Sequence, residues 1–251
     1  MTASRYASLA IEADDIAAGR VEPHYVKVLT RLLAAHALAE KFTAIGYQRA
    51  LETIDDARLR PRIAQNYAEE RKHARLVYQL LEPLGLQEAA ADRSLIAALK
   101  APSFVAPRYF AEHAEGPLDL VMGSVSLDMT GYLMIGVNYR ESSYAPHARA
   151  ADLILEEEAG HEDFAASCLR DAVEWFGAER VNGALRAWLP RAVNFFGPPG
   201  SGFTFDCIRY GLKQRDNGEL ADLFLAMLER RVVQAGLAMP ALTSGYPRTL
   251  G

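Results

Sequence analysis

Cysteine is scarce in this chain of 251 residues, which contains only Cys168 and Cys207. Two cysteines provide no disulfide framework of the kind that stabilises small secreted domains, and these two do not form a C-x-x-C zinc motif. The sequence therefore excludes a disulfide-rich scaffold and a thiolate metal site. A reducing, cytoplasmic setting fits this composition best.

Clusters of positive charge are also missing. The chain has 27 Lys and Arg residues against 32 Asp and Glu residues, a net charge of −5, and no long block of like charge. Surfaces that bind nucleic acid need clustered Lys and Arg, so the sequence argues against a nucleic-acid partner.

Neither a secretion signal nor a membrane anchor is expected. The first twenty residues include three acidic side chains and no continuous apolar segment. The stretch from Leu118 to Tyr139 has the length of a membrane span but contains Asp119 and Asp128. An aspartate at mid-bilayer costs roughly 2.5–3.5 kcal/mol on insertion scales. We therefore interpret this stretch as a buried core helix and expect no membrane partner.

Four long helical patterns occupy the first two thirds of the chain. Their apolar residues recur every three or four positions, as expected of helices with one buried face. The patterns run from about Pro23 to Thr53, from the turn at 55–61 to Gly85, from Leu118 to Tyr139, and from about Pro146 to Trp175. An Ala- and Pro-rich connector, Gln87 to Gly116 with Pro102 and Pro107, separates the second pattern from the third and is long enough to cross a bundle.

The pattern weakens beyond Gly177. It predicts a short helix at Ala178 to Leu189, a loop at Phe195 to Thr204, and a last helix at about Asn217 to Gly236. No strand alternation is recognisable. The sequence thus predicts an all-α protein that forms a single domain over residues 1–251, with a core bundle at about 23–175 and a C-terminal helical elaboration at about 176–251.

Two of the six histidines follow a glutamate by three positions, in the pairs Glu70–His73 and Glu158–His161. Positions i and i+3 share a helix face, so each pair can present a carboxylate and an imidazole to the same point. One such pair is a weak signal, because a buried Glu or His can also be an ordinary satisfied core residue.

An internal repeat strengthens the signal. A further carboxylate stands 30 residues before each pair, Glu40 before Glu70 and Asp128 before Glu158. Every member of the first set lies 88 residues before its counterpart in the second set. All six residues fall on apolar stripes, where an unpaired charge is costly.

Two metal ions would account for these buried carboxylates. One carboxylate from each of two helices, with Glu-x-x-His from each of the other two, is the ligand set of ferritin-like di-iron and di-manganese four-helix bundles. Carboxylate oxygens with one imidazole per metal suit iron or manganese better than structural zinc. We therefore expect Glu40, Glu70, His73, Asp128, Glu158 and His161 to converge on two metal ions, iron or manganese, about 3.5–4 Å apart.

Glu69 and Glu157 directly precede the two glutamates of the pairs and repeat with the same offset. Histidine ligands usually donate their second N–H to a carboxylate, so we expect these residues either to accept those hydrogen bonds or to be exposed helix charges. His36, one turn before Glu40, is a candidate wall of the site. His24, His113 and His147 are interpreted as surface or loop residues.

The sequence resembles the phenylacetic-acid catabolic protein family of the ferritin-like superfamily. The resemblance rests on Glu40, on "EERKH" with Glu70 and His73, on an Asp rather than a Glu at position 128, and on "EEAGH" with Glu158 and His161. It extends into "YGLKQRDNGELADLF", residues Tyr210 to Phe224. That family includes the catalytic subunit of phenylacetyl-CoA epoxidase and a non-catalytic subunit that has lost its ligands, whereas the set is complete here.

This resemblance implies O₂ activation at a carboxylate-bridged di-iron centre and insertion of one oxygen atom into an acyl-CoA thioester, aromatic or related. It implies a separate flavin and iron-sulfur reductase, and either a homo-oligomer or a non-catalytic partner subunit. Tyr132 stands where soluble methane and toluene monooxygenases have Thr. Val77 stands where the small subunit of ribonucleotide reductase has its Tyr, so radical storage is disfavoured.

The substrate site is less well defined by the sequence. Candidate pocket walls are Tyr47, Tyr132, Ile135, Tyr139 and Phe164 together with His36, although such a stripe is by default core. Arg71, Lys72 and Arg75 are candidate contacts for the CoA phosphates, or else a solvated helix face. The Gly-Pro loop 197–202 could gate the site but is favoured as an ordinary connection. Alternative functions are a tRNA hydroxylase, a ferroxidase and a non-catalytic scaffold subunit.

Overall fold

The computed structural model describes Tyr6 and residues 9–95 and 105–241. Within these ranges the chain is helical, and the only strand-like contact is a single parallel bridge between Ile11 and Tyr144. The α-helices are α1 (Ala13–Ala17), α2 (Pro23–Thr53), α3 (Arg60–Gln79), α4 (Glu88–Ser94), α5 (Val105–His113), α6 (Pro117–Leu133), α7 (Ala145–Phe176), α8 (Ala178–Phe195), α9 (Gly202–Arg209) and α10 (Asn217–Gln234). The all-α prediction is confirmed.

Each of the four long helices of the bundle has a proline in its first turn. These prolines are Pro23 in α2, Pro61 in α3, Pro117 in α6 and Pro146 in α7. Proline suits this position because its fixed φ is already helical and its missing N–H would have no partner within the helix. The starts of the four helices are therefore encoded locally.

The four predicted patterns correspond to α2, α3, α6 and α7, with two differences at their ends. α3 stops at Gln79, and a short 3₁₀ turn at Glu82–Leu84 leads to Gly85. α6 continues beyond Leu133 as a π-helical segment, Met134–Tyr139. Most of Pro117–Tyr139 is buried in the bundle, although this helix is long and apolar enough to cross a membrane. Its apolar surface packs against neighbouring helices, as expected of a core helix.

The connector and the C-terminal part contain more helix than the sequence predicts. α4 and α5 lie within the connector, whose middle, 96–104 with Pro102, lies outside the described residues. α8 continues to Phe195 despite Pro190, and α9 begins inside the expected loop. α10 starts with a reciprocal capping box between Asp216 and Glu219. The missed elements are short and adjoin the Pro and Gly residues of the connector and of the 195–204 segment, which indicate loops.

Phe110 of α5 inserts between two bundle helices. A side chain added at Gly46 of α2 or at Gly123 of α6 would meet the Phe110 ring at 2.2 Å. Only glycine leaves room for a ring at this distance from both backbones. The ring of Phe110 is fully buried, and its centroid lies 5.2 Å from that of Tyr47 in an edge-to-face arrangement. α5 thus fills one end of the space between α2 and α6.

Candidate metal centre

The six repeat residues converge in the middle of the bundle. Potential ligand atoms of Glu40, Glu70, His73 and Glu158 lie within 4.8 Å of one another, and so do those of Glu70, Asp128 and His161. Glu70 belongs to both groups. All six side chains are buried, with residue exposures of 8% or less. The 88-residue repeat therefore corresponds to two adjacent clusters that share a carboxylate.

Both imidazoles direct Nδ1 into the cluster. His73 Nδ1 lies 3.5 Å from Glu158 Oε1 and 3.9 Å from Glu40 Oε2. His161 Nδ1 lies 3.3 Å from Glu70 Oε1 and 3.8 Å from Glu158 Oε1. These distances are longer than good hydrogen bonds, and both Nδ1 atoms lack a hydrogen-bond partner.

The other nitrogen of each imidazole is bound by the carboxylate that precedes the opposite pair. His73 Nε2 donates to Glu157 Oε2 at 2.8 Å, and His161 Nε2 donates to Glu69 Oε2 at 2.7 Å. A carboxylate can only accept, so each histidine carries a proton on Nε2, and the neutral form of each imidazole has its lone pair on Nδ1. That lone pair faces the cluster, which is the orientation required for binding a metal ion.

Glu40 is positioned by a hydrogen bond from another residue of α2. His36 Nε2 donates to Glu40 Oε1 at 2.8 Å, and His36 Nδ1 lies 3.1 Å from Nε2 of His147. His147 is fully buried, so its interpretation as a surface or loop residue is wrong. Burial, followed by the neighbouring His36, lowers the pKa of His147 well below its ordinary value. No sequence pattern indicates this contact, because His147 lies 111 residues from His36.

Asp128 is held across the bundle by a tyrosine. The Tyr47 hydroxyl lies 2.9 Å from Asp128 Oδ2 and 3.0 Å from Oδ1, and it also lies 2.9 Å from Ser124 Oγ. Tyr47 has one proton to give, so it donates to Asp128 and accepts from Ser124. Burial, followed by the charge of Asp128, raises the pKa of Tyr47 well above its ordinary value, which keeps this donor protonated.

Four buried carboxylates close together repel one another, and their pKa values differ accordingly. Burial, followed by the charges of Glu40 and Glu158, raises the pKa of Glu70 well above its ordinary value. Burial raises the pKa of Asp128 to about 7, although His161 opposes this rise. Burial also opposes a charge on Glu40, but His36 and His73 outweigh it and lower the pKa of Glu40. The surrounding carboxylates raise the pKa of His73 to about 9 against the effect of burial.

The cluster fits two divalent cations. Its buried atoms without a hydrogen-bond partner include His73 Nδ1, His161 Nδ1, Glu70 Oε2 and Glu158 Oε2. Unsatisfied buried polar atoms are rare in proteins and need an explanation. Oxygen donors with one imidazole per cluster, and no thiolate among them, match the preferences of iron and manganese.

A cavity of about 360 Å³ adjoins the cluster, with Glu40, Glu70, Asp128 and Glu158 in its wall. His36, Ile135 and Tyr139 line it, as the sequence suggested. Tyr47, Tyr132 and Phe164 do not border it. The rest of the wall comes mainly from apolar side chains of α2 and α6 and from the segment 195–204, which includes Gly197, Pro198 and Ser201 of the Gly-Pro loop.

Two cations border this cavity, and the sequence did not single out either. Arg31 is exposed, with its guanidinium 4.3 Å from the ring centroid of Phe203. Lys213 is buried, and its Nζ donates to Asn217 Oδ1 at 2.7 Å. Burial lowers the pKa of Lys213 to about 8. A buried lysine whose side chain has one neutral partner is unusual. Only the structure shows that Lys213 lies in the cavity wall.

The three basic residues expected to bind CoA lie elsewhere. Arg71 and Arg75 border a second cavity, together with Lys41 and Tyr67, and Lys72 pairs with Glu157. None of the three borders the cavity beside the cluster. The helix pattern correctly separated them from the buried stripe, but it could not show which surface they face.

The helical bundle and its central carboxylate and histidine cluster define a ferritin-like fold with a site that fits a di-iron centre. Residues 69–247 match the profile of the phenylacetic acid catabolic protein family, and the chain belongs to this family. The matched segment contains five of the six cluster residues and begins after Glu40. A search of curated proteins gives no match.

Two solved structures share the fold at low sequence identity. A Synechococcus protein with aldehyde deformylating oxidase activity has a TM-score of 0.67 and 15% identity, over 87% of this chain and 94% of that chain. A putative class I ribonucleotide reductase from Bacillus halodurans has a TM-score of 0.61 and 13% identity, over 91% of this chain and 85% of that chain. Family and fold together support a di-iron oxygenase type of function.

Proposed function

We propose that this protein is the catalytic component of a di-iron monooxygenase that inserts one oxygen atom from O₂ into an acyl substrate. The observation that carries the proposal is the cavity beside the cluster, because its wall includes four of the six proposed metal ligands. A substrate in this cavity would lie directly beside the metal ions. Membership of the phenylacetic acid catabolic protein family supports an aromatic or related acyl-CoA thioester as the substrate.

Glu40, His73 and Glu158 would hold one iron ion, and Asp128 and His161 would hold the other; Glu70 belongs to both groups of potential ligands. Bound iron supplies the reduction of O₂ and the oxidation of the substrate. The protein residues do the rest: Glu69 and Glu157 fix the imidazole orientation, while the apolar wall excludes water and positions the acyl group. Manganese is the alternative metal.

The cavity suits a ligand with an apolar body and a polar or anionic end. Apart from the cluster residues its wall is largely apolar, and Lys213 and Arg31 provide positive charge in the same cavity. Cavities of this size bind small ligands through an apolar wall and a few well-placed polar groups. We propose that these two cations, rather than Arg71, Lys72 and Arg75, contact the thioester end of the substrate.

The reaction needs two electrons and two protons for each O₂, because one oxygen atom enters the substrate and the other leaves as water. The sequence has no flavin or iron-sulfur motif, so a separate reductase is part of the proposal. A homo-oligomer or a non-catalytic partner subunit and a cytoplasmic location are further parts of it, supported by the family alone.

Iron analysis combined with oxygen consumption on a panel of acyl-CoA thioesters tests the proposal. We expect about two iron ions per chain, and oxygen consumption that requires both a reductase and a thioester. Lys213→Met should raise KM for the thioester, whereas Arg71→Met serves as the control and should not. Oxidation of the free acid as efficiently as the thioester would contradict the acyl-CoA assignment.

A further inference from the structure

The cavity beside the cluster ends abruptly along the interface of α2 and α6. On α2 its wall extends from Arg31 to Thr43, and on α6 it begins at Leu127 and continues into the π-helical segment. One turn beyond Thr43 stands Tyr47, and one turn before Leu127 stands Ser124. Neither residue borders the cavity, and both are fully buried.

Tyr47 occupies the space directly beyond this end of the cavity. Its hydroxyl is joined to Asp128 and Ser124 of α6, as described above, and its ring packs edge-to-face on Phe110. Phe110 in turn occupies the space left by Gly46 and Gly123. Two rings in edge-to-face contact, those of Tyr47 and Phe110, thus occupy the space between α2 and α6 beyond the last turns that border the cavity.

The internal repeat relates the two ends of the site, and it shows that Tyr47 has no tyrosine counterpart at the other end. The 88-residue offset pairs Tyr47 with Ile135, and it pairs His36 with Ser124. Ile135 borders the cavity, and so does His36. His36 and Ile135 thus border the cavity at one end of the site, whereas their counterparts Ser124 and Tyr47 form a hydrogen-bonded pair at the other end.

We propose that Tyr47 is a specificity-determining and positioning residue: its ring sets the depth of the substrate pocket, and its hydroxyl holds Asp128 in place for metal binding. This inference rests on the proposed function, since it assumes that the cavity binds the substrate and that Asp128 binds iron. Tyr47 acts on the metal through Asp128 and on the substrate by excluded volume.

The pocket depth is tested with a homologous series of linear 1-alkanols bound to the iron-loaded protein and measured by calorimetry. In the natural protein, affinity should rise with chain length up to a cut-off. Tyr47→Ala should move the cut-off to longer chains, and each additional methylene accommodated should raise affinity about four-fold. Tyr47→Phe keeps the ring and should keep the cut-off. Tyr47→Leu serves as a second opening variant if Tyr47→Ala does not fold.

The positioning of Asp128 by the Tyr47 hydroxyl is tested by anaerobic Fe(II) titration of Tyr47→Phe. Loss of the hydroxyl should weaken the binding of one of the two iron ions about 10-fold or more, with the other little changed. Tyr25→Phe is the matched control, because Tyr25 is a fully buried tyrosine of the same helix whose hydroxyl bonds Ser143 Oγ at 3.0 Å. Tyr25→Phe should bind both ions as the natural protein does.

The outcomes separate this inference from the proposed function. An unchanged alkanol cut-off in a folded Tyr47→Ala or Tyr47→Leu variant overturns the role in pocket depth. Two unchanged iron affinities in Tyr47→Phe overturn the role in positioning Asp128. Failure of the natural protein to bind iron would instead contradict the proposed function.

Discussion

Glu157 on α7 accepts a 2.8 Å hydrogen bond from His73 on α3, and it does so next to Glu158, which faces the same cluster. Two consecutive residues of α7 thus have different roles: Glu157 binds the histidine of α3, and Glu158 belongs to the cluster. The contact between Glu69 and His161 repeats this arrangement in the other direction.

Removing the carboxylate of Glu157 should weaken metal binding without unfolding the protein. Glu157→Gln replaces the charged acceptor of His73 with a neutral one, and such changes typically cost 10–100-fold in metal affinity, that is, about 1.4–2.7 kcal/mol. Competition with a chromophoric chelator measures the loss. Glu156→Gln, at an exposed position of the same helix, is the control. Equal affinities in the two variants would show that Glu157 is an ordinary helix charge.

Glu70→Gln should have opposite effects on the metal-free and the metal-loaded protein. The folded-state pKa of Glu70 is raised by burial and by Glu40 and Glu158, so stability is lost as the pH rises above the ordinary glutamate value. The neutral amide avoids this loss, so we expect the metal-free variant to be more stable at neutral pH. The metal-loaded variant should instead gain less stability from iron, because the amide replaces a ligand carboxylate. Thermal unfolding with and without iron measures both effects. A less stable metal-free variant would contradict the prediction.

Metal uptake should depend on pH in a defined direction. Asp128, with a pKa of about 7, and His73, with a pKa of about 9, hold protons that a metal ion must displace. Affinity for Fe(II) should therefore increase as the pH rises through this range and level off above it. Proton release in weakly buffered, anaerobic solution provides an independent measurement. An affinity that is constant from acidic to basic pH would show that the ligands are already deprotonated.

Lys213→Met should stabilise the fold near neutral pH while impairing ligand binding. The folded-state pKa of about 8 lies below the ordinary value, so the stability of the natural protein should rise as the pH increases from about 8 to the ordinary value of 10.5. The variant should lack this rise and be more stable at neutral pH, by about 2–3 kcal/mol as an upper range. Denaturant unfolding across this pH range tests the sign. The matched control is Lys72→Met at an exposed position.

The sequence was most informative where it carried local or repeated signals. Helical periodicity with prolines such as Pro23 and Pro117 located the long helices, and the 88-residue repeat selected the six residues that the structure brings together. The short helices α4, α5 and α9 were missed because they span only 7–9 residues and adjoin Pro and Gly residues that indicate loops. Tertiary packing, rather than propensity, stabilises such elements.

Contacts between distant helices could not be read from the pattern. Tyr47 was suggested as a pocket wall, yet it does not border the cavity; its ring packs on Phe110 and its hydroxyl binds Asp128. Lys213 was passed over because a single lysine in a polar segment predicts exposure. His147 was assigned to the surface for the same reason. The position of each of these residues depends on which helices pack together. Periodicity identifies the buried face of a helix but not the helix that packs against it.

The Phe110 ring between Gly46 and Gly123 has a consequence for how the molecule folds. α5 follows α2 and α3 in the chain but precedes α6, and its ring contributes to the interface between α2 and α6. A chain reduced to α2, α3, α6 and α7 would retain all six cluster residues but leave an aromatic-sized void between two of its helices. Such voids cost about 3–5 kcal/mol when a buried Phe is truncated. The four helices that bear the cluster residues are therefore incomplete as a packing unit without α5, although α5 contributes no residue to the cluster.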